Sequence, residues 1–358
     1  MRWTLLCRVV DNLGDVGFAW RLAADLAGRG EAVRLVIDDA RALAWMAPGG
    51  AAGIEVVPWE TAALDASDAL VETFGCGWPE PVAAALAALP PGAPRPVCVN
   101  VEHLSAEPFV ARSHGLPSPR FTAVGEPLPS WFFYPGFAAT TGGLLREPSL
   151  LEQRRAFGDG RAWLARLGIE RYADERCVSL FCYPDAPVDA LLEALATAPT
   201  LLLLTPSAAA ERATAALGPA GRRGALRAVA LPPLAQPDFD RLLWSCDLNF
   251  VRGEDSLVRA LWAGVPFVWQ AYVQQDGAQR AKVQAFLDVF LADAPARLAT
   301  GLRRLFAAWN RLAGPGAPLD LGDLDPAEWA ALCVRVRGRL AALPDLTGAL
   351  IAFVASRR

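Results

Sequence analysis

The chain alternates short apolar, β-prone runs with helical segments, and it does so in two successive series of similar length. The runs predicted as strands are 3–10, 32–37, 54–57, 70–74 and 97–101 in the first series, and 177–183, 200–205, 226–231, 248–251 and 266–269 in the second. Strands that alternate with helices at this spacing predict a largely parallel, doubly wound sheet. Two such series therefore predict an α/β protein built from two Rossmann-like halves.

The length of the chain fits this division. At 358 residues it exceeds what one ordinary hydrophobic core supports, so two domains are the expected arrangement. We expect a first domain over residues 1–150 and a second over residues 151–343. The last helical segment, 344–358, follows the second domain in sequence and is a candidate to pack back on the first.

Composition and charge argue against several classes of protein. The net charge of −4 and the pI of about 5.4 give no reason to expect a nucleic-acid-binding surface. No apolar run is long enough to span a bilayer, and the first residues show no cleavage-site pattern. Seven scattered cysteines without a CxxC pair, together with only two histidines, are typical of a reducing compartment and argue against a structural zinc site. We expect a cytoplasmic protein without nucleic-acid or membrane partners.

A dense polar loop lies between a predicted strand and a predicted helix of the second series. It consists of Arg252, Gly253, Glu254, Asp255 and Ser256. Either Asp255 or Ser256 is expected to cap the helix 257–263. A glycine-containing turn that leads from a strand end into a helix N-terminus directs free backbone N–H groups and the positive end of the helix dipole to one point, which favours an anion. The alternative is a well-capped helix that any α/β protein could contain.

The loop after the first strand contains two carboxylates and two glycines. Its candidate residues are Asp11, Asn12, Gly14, Asp15 and Gly17. The glycines permit close backbone approach, but their spacing is not GxGxxG, so a dinucleotide-binding interpretation is weak. Two carboxylates at a strand end suit recognition of a cation or general-base catalysis. Alternatively, Asp11 caps the loop and Asp15 caps the first helix. A divalent metal held by both is conceivable, but no DxD motif supports it.

Aromatic residues follow the first strand of the second series. Phe181 and Tyr183 alternate along the predicted strand, so their side chains are expected on one face, where they can stack a base. Ordinary core packing is the alternative for Phe181. Gln236 comes directly before a predicted helix. Because ligands of open α/β sheets bind beyond the carboxyl ends of the strands, we expect these residues to share a site with residues 252–256.

Residues 105–143 interrupt the alternation with a high density of proline, glycine and aromatic residues. A long ordered loop in a compact domain is usually functional, so we expect part of an acceptor surface or cleft wall here. An irregular loop that covers a sheet edge is the alternative. His103 comes just before this stretch and is more typical of a loop histidine than of a catalyst.

Several motifs, in chain order, are similar to those of a known family. They are CRVVDNLGDVGFAWRLAADLAGRG, VEHLSAE, HGLPSP, FFYPGF, TGGLLRE, VSLFCY and DRLLWSCDLNFVRGEDSLVRALWAGVPFVW. In these motifs the chain resembles, from Cys7 to Trp269, the EarP family of bacterial protein-arginine rhamnosyltransferases. The resemblance implies a GT-B glycosyltransferase, with two facing Rossmann-like domains and a cleft between them. It also implies a metal-independent, inverting enzyme without a cofactor. That enzyme would move L-rhamnose from dTDP-β-L-rhamnose to one arginine of elongation factor P, which relieves ribosomes stalled on polyproline.

The resemblance also implies roles for single residues. Asp15 matches the proposed general base, Asp11 a second essential aspartate, and Glu254 a glutamate required for activity. The predicted donor-binding residues are Asn12, Gly14, Phe181, Tyr183, Gln236, Arg252, Gly253, Asp255 and Ser256. In this set, Asp255 and Ser256 match residues that hold the diphosphate, whereas Phe181, Tyr183 and Gln236 match the thymidine pocket. The first domain would then be the acceptor side, and the second would bind the nucleotide sugar.

The chain departs from the family pattern near the predicted donor pocket. Gln270 occupies a position where a histidine is expected, and the segment from Gln270 to Gln279 is divergent. Leu234 and Ala235 replace an aromatic residue expected just before Gln236. These departures concern the details of the donor pocket.

Other functions share parts of this pattern. A different GT-B transferase or an epimerase that uses a UDP- or dTDP-sugar would need the same donor site but not a protein acceptor. A non-enzymatic nucleotide-sugar-binding protein would need no catalytic aspartate. An NAD-dependent oxidoreductase comes last, because the glycine fingerprint is missing.

Overall fold

The computed structural model describes residues 1–11, 13–64, 66–90, 92–118, 120–121, 127–273, 277–314 and 316–358. Asn12, one of the predicted donor-binding residues, lies outside these ranges. The chain divides into two compact units, of which the first is Met1–Glu147 with Ala341–Arg358 and the second is Pro148–Leu340.

A six-stranded parallel sheet forms the centre of the first unit. The strands of the unit are β1 (Arg2–Cys7), β2 (Ala32–Ile37), β3 (Ile54–Pro58), β4 (Ala69–Thr73), β5 (Val97–Val101), β6 (Arg120–Phe121), β7 (Pro127–Leu128) and β8 (Ser130–Phe133). The order in the sheet is β3-β2-β1-β4-β5-β8, while β6 and β7 form a separate antiparallel pair. The helices that precede the second unit are α1 (Leu13–Gly28), α2 (Leu43–Met46), α3 (Glu80–Ala87) and α4 (Pro108–Ser113).

The second unit repeats this architecture. Its strands are β9 (Arg176–Leu180), β10 (Thr200–Leu204), β11 (Arg222–Arg223), β12 (Leu226–Ala230), β13 (Leu248–Arg252) and β14 (Phe267–Gln270). The order is β11-β12-β10-β9-β13-β14, and all neighbours are parallel except β11 and β12. Its helices are α5 (Leu150–Ala156), α6 (Gly160–Arg166), α7 (Val188–Leu195), α8 (Ala208–Leu217), α9 (Gln236–Ser245), α10 (Asp255–Ala263), α11 (Ala278–Phe290), α12 (Ala296–Trp309) and α13 (Pro326–Ala341).

The last helix of the chain, α14 (Leu346–Ala355), packs on the first unit. Its residues Leu346, Leu350 and Val354 repeat every four positions, so they form one apolar face. That face is buried in the same hydrophobic cluster as Leu5 of β1 and Leu22 of α1. Within the described ranges, no helix is both long and apolar enough to cross a membrane.

The structure corrects several predicted element bounds. Strand β8 lies within residues 105–143, where no strand was predicted, and it pairs with β5. Helices α5 and α6 are separate elements because Gly158, whose φ of +69° interrupts a helix, lies between them. Predicted strands also run too long, because Val10, Phe74 and Tyr183 all lie beyond the last residues of their strands.

Each sheet has a topological switch point, where the strand order reverses direction. In the first unit it lies between β1 and β4, and in the second between β9 and β13. Ligands of doubly wound sheets bind beyond the strand ends at such points. A ligand site is therefore expected among the residues that follow β1 and β4, and among those that follow β9 and β13.

Candidate functional site

The loop that joins β1 to α1 is folded around the carboxylate of Asp15. Asp15 Oδ2 accepts the backbone N–H of Val10 at 2.7 Å and that of Asp11 at 2.8 Å. These bonds turn the chain from the strand end into the helix, and Asp15 is only 7% exposed. Asp15 lies inside α1 and its side chain reaches backwards, so it is not the N-cap residue of the helix.

Asp11 lies on the same turn and contacts the start of the helix. The Gly14 N–H donates to the backbone oxygen of Asp11 at 2.7 Å. A Cβ atom at Gly14 would lie 2.8 Å from Asp11 Oδ2, so the carboxylate uses space that only glycine leaves. The structure thus brings Asp11, Gly14 and Asp15 together. Two carboxylates on one turn suit a cationic ligand such as a guanidinium.

The end of β4, beside β1 in the sheet, holds a strained aromatic residue. Phe74 has a φ of +60°, in the left-handed region where a bulky side chain is strained by about 1–3 kcal/mol. Its N–H donates to Val101 O at 2.7 Å, which fixes this conformation. The ring stacks on His103 with centroids 4.4 Å apart, and Phe18 of α1 packs at 5.0 Å. His103 therefore packs on an aromatic ring beside the first switch point.

The cysteines near these loops are not nucleophiles. Burial raises the pKa of the Cys7 thiol, and the nearby Asp15 carboxylate raises it further. Burial likewise raises the pKa of Cys76 and of Cys182 to about 12. Because the thiolate is the reactive form, these side chains are neutral packing residues at physiological pH.

In the second unit, a guanidinium group packs against both predicted base-stacking residues. The Cζ atom of Arg252 lies 4.6 Å from the ring centroid of Phe181 and 4.4 Å from that of Tyr183. Both aromatics come after β9, and the Phe181 N–H donates to Phe250 O on β13 at 2.9 Å. The second switch point therefore combines a cation with two aromatic rings.

The turn from β13 into α10 is held by two side chains that bind its backbone. Gly253 has a φ of +65°, and its carbonyl accepts the indole N–H of Trp269 at 2.7 Å. Ser256 Oγ accepts the Arg252 N–H at 3.0 Å and also bonds to the Arg252 carbonyl. The prediction that Asp255 or Ser256 caps this helix is wrong, since α10 begins at Asp255 and Ser256 binds the strand end instead.

Glu254 occupies the N-cap position of α10, but its side chain makes no capping hydrogen bond. The carboxylate is paired instead with α11, where Lys282 Nζ donates to Glu254 Oε1 at 2.7 Å. The two side chains are 19% and 17% exposed, so this ion pair is partly shielded from water. Sequence reasoning did not identify Lys282, because a pairing across 28 positions leaves no local pattern.

Gln270, which replaces an expected histidine, is completely buried and connects two strand ends. Its Oε1 accepts the Tyr183 N–H at 2.8 Å, and its Nε2 donates to Asp185 Oδ1 at 3.0 Å. An amide supplies both an acceptor and a donor here, so this departure keeps the loop after β9 attached to β14. Beyond it, Asn310 Oδ1 accepts the Ala271 N–H at 2.9 Å, while residues 274–276 of the divergent segment lie outside the described ranges.

Gln236 is the first residue of α9 and is 7% exposed. In place of the expected aromatic, Leu234 is buried in the hydrophobic cluster below. A buried ion pair joins α9 to α10, because Arg259 Nε and Nη2 donate to Asp240 Oδ1 and Oδ2 at 2.7 and 2.6 Å. The bidentate geometry fixes the two helices that begin with Gln236 and Asp255.

No group of three or more histidine, cysteine, aspartate or glutamate side chains within the described ranges is arranged to hold a metal ion. The described site residues form one group in each unit. The first unit brings together two carboxylates, and the second brings together two aromatics, an arginine and a helix N-terminus. The sequence identified these residues, but it did not identify the supporting residue Lys282 or the strain at Phe74, and it singled out Gln270 only as a departure from the family pattern.

Comparison with solved structures places this fold. The glycosyltransferase VinC, solved in complex with dTDP, is 15% identical, has a TM-score of 0.52 and is matched over 100% of both chains. At this identity the likeness concerns the fold alone. With its two parallel-sheet Rossmann-like units, the protein has the GT-B fold, as predicted.

Residues 3–355 match the family described as Elongation-Factor P (EF-P) rhamnosyltransferase EarP. The protein-arginine rhamnosyltransferase of Pseudomonas aeruginosa is 40% identical over 99% of this chain and 98% of its own length. A solved structure that describes the basis for EarP-mediated arginine glycosylation of translation elongation factor EF-P is 32% identical, with a TM-score of 0.67 over 100% of this chain and 99% of that chain. The chain belongs to the EarP family of rhamnosyltransferases.

Proposed function

We propose that this protein transfers L-rhamnose from dTDP-β-L-rhamnose to one arginine side chain of elongation factor P, with inversion at the anomeric carbon. Membership of the EarP family and the name of the Pseudomonas aeruginosa relative support the acceptor and the sugar. The observation that carries the donor assignment is the second switch point, where Arg252 packs on both Phe181 and Tyr183 beside the N-terminus of α10.

The donor chemistry follows from this arrangement. We assign the thymine base to Phe181 and Tyr183, with Gln236 at the start of α9. We assign the diphosphate to Arg252, Gly253, Ser256 and the backbone N–H of Asp255 rather than its carboxylate. A helix N-terminus offers N–H groups and a positive dipole end to an anion. As the anomeric C–O bond breaks, negative charge builds on the leaving diphosphate, and donors already in place stabilise it.

These groups are also the reason to propose a reaction that needs neither a metal ion nor a cofactor. Arg252 and the N-terminus of α10 would balance the charge that a divalent cation balances in other sugar-nucleotide enzymes. We assign Glu254 to a donor hydroxyl, because a carboxylate accepts hydrogen bonds and repels phosphate.

The acceptor poses a different problem, since a guanidinium is protonated at physiological pH and its lone pairs are delocalised. A carboxylate therefore cannot remove a proton from it in advance. We propose that Asp15 binds one N–H, aligns that nitrogen with the anomeric carbon and takes the proton as the C–N bond forms. Asp11 would hold the other side of the guanidinium. Because the nitrogen attacks the face opposite the departing diphosphate, the anomeric configuration inverts.

The cellular role follows from the acceptor. Rhamnosylated elongation factor P would relieve ribosomes stalled on polyproline, and we expect the reaction in the cytoplasm, where translation occurs.

The test is the intact mass of purified elongation factor P after incubation with this protein and dTDP-L-rhamnose. We expect a gain of one deoxyhexose, located on an arginine by fragmentation, and no gain with the Asp15→Asn variant. Addition of a metal chelator should leave the wild-type yield unchanged. If dTDP-L-rhamnose were consumed without any gain of mass, the alternative of another GT-B transferase or epimerase would be favoured.

A further inference from the structure

We propose that Lys282 is a positioning residue of the donor site, and that its ammonium makes the N-terminus of α10 able to receive a diphosphate. The inference deepens the proposed function and rests on it. It begins with a conflict of charge, because two carboxylates, those of Glu254 and Asp255, adjoin the helix N-terminus assigned to an anion.

Lys282 resolves this conflict for Glu254. A carboxylate at an N-cap position can accept hydrogen bonds from the first N–H groups of the helix and so compete with a phosphate for them. The Glu254 side chain makes no such capping bond, and its Oε1 is held by Lys282 Nζ at 2.7 Å. The ammonium both turns the carboxylate away from the helix and cancels its charge. The loop 252–256 has a formal charge of −1 by itself and becomes neutral with Lys282 included.

The position of the ammonium is fixed by the elements around it. Gln279, one turn earlier on α11, donates from Nε2 to Ala271 O at 3.2 Å, which ties the start of the helix to the end of β14. Phe286, one turn later, packs on Trp269 with centroids 5.2 Å apart. The Trp269 indole N–H in turn donates to Gly253 O, at 2.7 Å. Helix α11 is thus joined to the loop by two independent contacts, one apolar and one ionic.

The presence of a lysine, rather than an arginine, at position 282 also supports this role. Lys282 is the only lysine in a sequence with 34 lysine and arginine residues in total. An ammonium is a compact point charge, whereas a guanidinium is a planar fork that binds both oxygens of a carboxylate. The ammonium of Lys282 accordingly binds Glu254 through one oxygen, Oε1.

Binding of dTDP and of thymidine distinguishes this role from a structural one. We expect Lys282→Met to weaken dTDP binding by about tenfold, because the negative charge of Glu254 beside the diphosphate is then no longer balanced by Lys282. Thymidine binding should be unchanged, because thymidine has no phosphate. In the Lys282→Met background, Glu254→Gln should restore most of the dTDP affinity, because it removes the uncompensated charge. The Lys282→Arg variant should retain more of the dTDP affinity than the Lys282→Met variant. Equal dTDP affinity in wild type and Lys282→Met, or no rescue by Glu254→Gln, would overturn the proposal.

A second measurement does not depend on whether the methionine variant folds. Acetylation of the folded wild-type protein can modify only one lysine side chain, so it should weaken dTDP binding without affecting thymidine. The Lys282→Arg protein, treated in the same way, should keep its affinity. An equal loss of dTDP affinity in both proteins would show that the effect comes from acetylation of the terminal amine, and would contradict the proposal. If the wild-type protein bound dTDP and transferred rhamnose to elongation factor P but the variants did not behave as expected, only the role of Lys282 would be wrong. If the wild-type protein bound no dTDP, the proposed donor would be wrong as well.

Discussion

The two units have the same strand order around their first strands, but their switch points carry opposite chemistry. Beyond β1 the loop presents the carboxylates of Asp11 and Asp15, whereas beyond β9 and β13 the second unit presents aromatic rings and Arg252. The first set suits a cation and the second suits an aromatic anion. Because the sheets are alike, the difference lies entirely in the loops that follow the strands.

Both loops nevertheless use the same local device. In each, an oxygen from the first turn of the helix reaches back to a backbone N–H at the strand end. Asp15 Oδ2 accepts from Val10 and Asp11 in the first unit, and Ser256 Oγ accepts from Arg252 in the second. Under the proposed function, the carboxylate in this place would add negative charge for an arginine substrate, and the hydroxyl would leave the helix N-terminus to phosphate. One geometry would thus serve two kinds of ligand.

The largest expected effect comes from breaking the acidic side of this comparison. Asp15→Asn should lower transfer to elongation factor P by about 10²–10⁴-fold, the usual contribution of a general base, because the amide cannot take the proton. The amide oxygen can still accept the two backbone N–H bonds, so the loop should remain folded. Rates are measured by intact mass and dTDP binding by calorimetry, and binding should be unchanged.

Asp38→Asn is the matched control, since the exposed Asp38 carboxylate also binds backbone of this loop, accepting the Val9 N–H at 2.9 Å. It should keep transfer within a few-fold of wild type. A wild-type rate for Asp15→Asn would show that the base assignment is wrong.

In the second unit, a substitution should instead weaken donor binding and leave acceptor binding unchanged. Arg252→Gln should weaken dTDP by about tenfold through the loss of one charged contact, while the affinity for elongation factor P stays the same. Arg241→Gln removes a positive charge from a half-exposed ion pair on α9 and serves as the control. Equal dTDP dissociation constants for the two variants would argue against a phosphate-binding role for Arg252.

A smaller effect on transfer is expected from a change at Gly14, which lies between the carboxylates of Asp11 and Asp15. Gly14→Ala would place a Cβ 2.8 Å from Asp11 Oδ2, so the side chain must shift, and transfer should fall by about tenfold or less. Gly28→Ala, in the same helix, meets no atom within 4 Å and tests the effect of helix propensity alone. Both variants should unfold at or above the wild-type temperature, since alanine favours helix. Matching transfer rates for the two would remove the steric argument.

The smallest expected effect is on stability. It concerns an ion pair near the amino ends of β9 and β12, on the side of the second sheet opposite the site. The Arg227 guanidinium donates to Glu175, at 2.7 Å from Nη2 to Oε2, and holds the pKa of this carboxyl below its ordinary value. A lowered pKa stabilises the fold above the unfolded value of about 4.3 and loses this contribution as pH falls through the folded value. Glu175→Gln should therefore lower the free energy of unfolding by about 1–2 kcal/mol at pH 7.

The difference from wild type should shrink as the pH falls below about 4.3. The exposed Glu193, replaced by Gln, is the control and should follow wild type throughout. Urea unfolding at a series of pH values measures this, and a difference independent of pH would contradict it. Transfer per folded molecule should not change.

Much of the fold is readable from the sequence because its signal is local. The bounds of β2 and β5 are as predicted, since each is a compact apolar run between clear stop signals. Strand β8 was missed because Ser130–Phe133 is four residues long and surrounded by prolines, and only pairing with β5 makes it a strand. The site residues were identified by motif, and their assigned roles remain predictions.

The sequence by itself determined the α/β class, the two series of strands and helices, and the polar loops at their strand ends. Hydrophobic periodicity and turn-forming residues encode these over a few positions. Only the tertiary structure decided that α14 packs on the first sheet, that Gln270 binds Tyr183 N–H and that Lys282 pairs with Glu254. These contacts join residues 28 to more than 300 positions apart, and such pairings are selected by packing of the whole core rather than by any local preference.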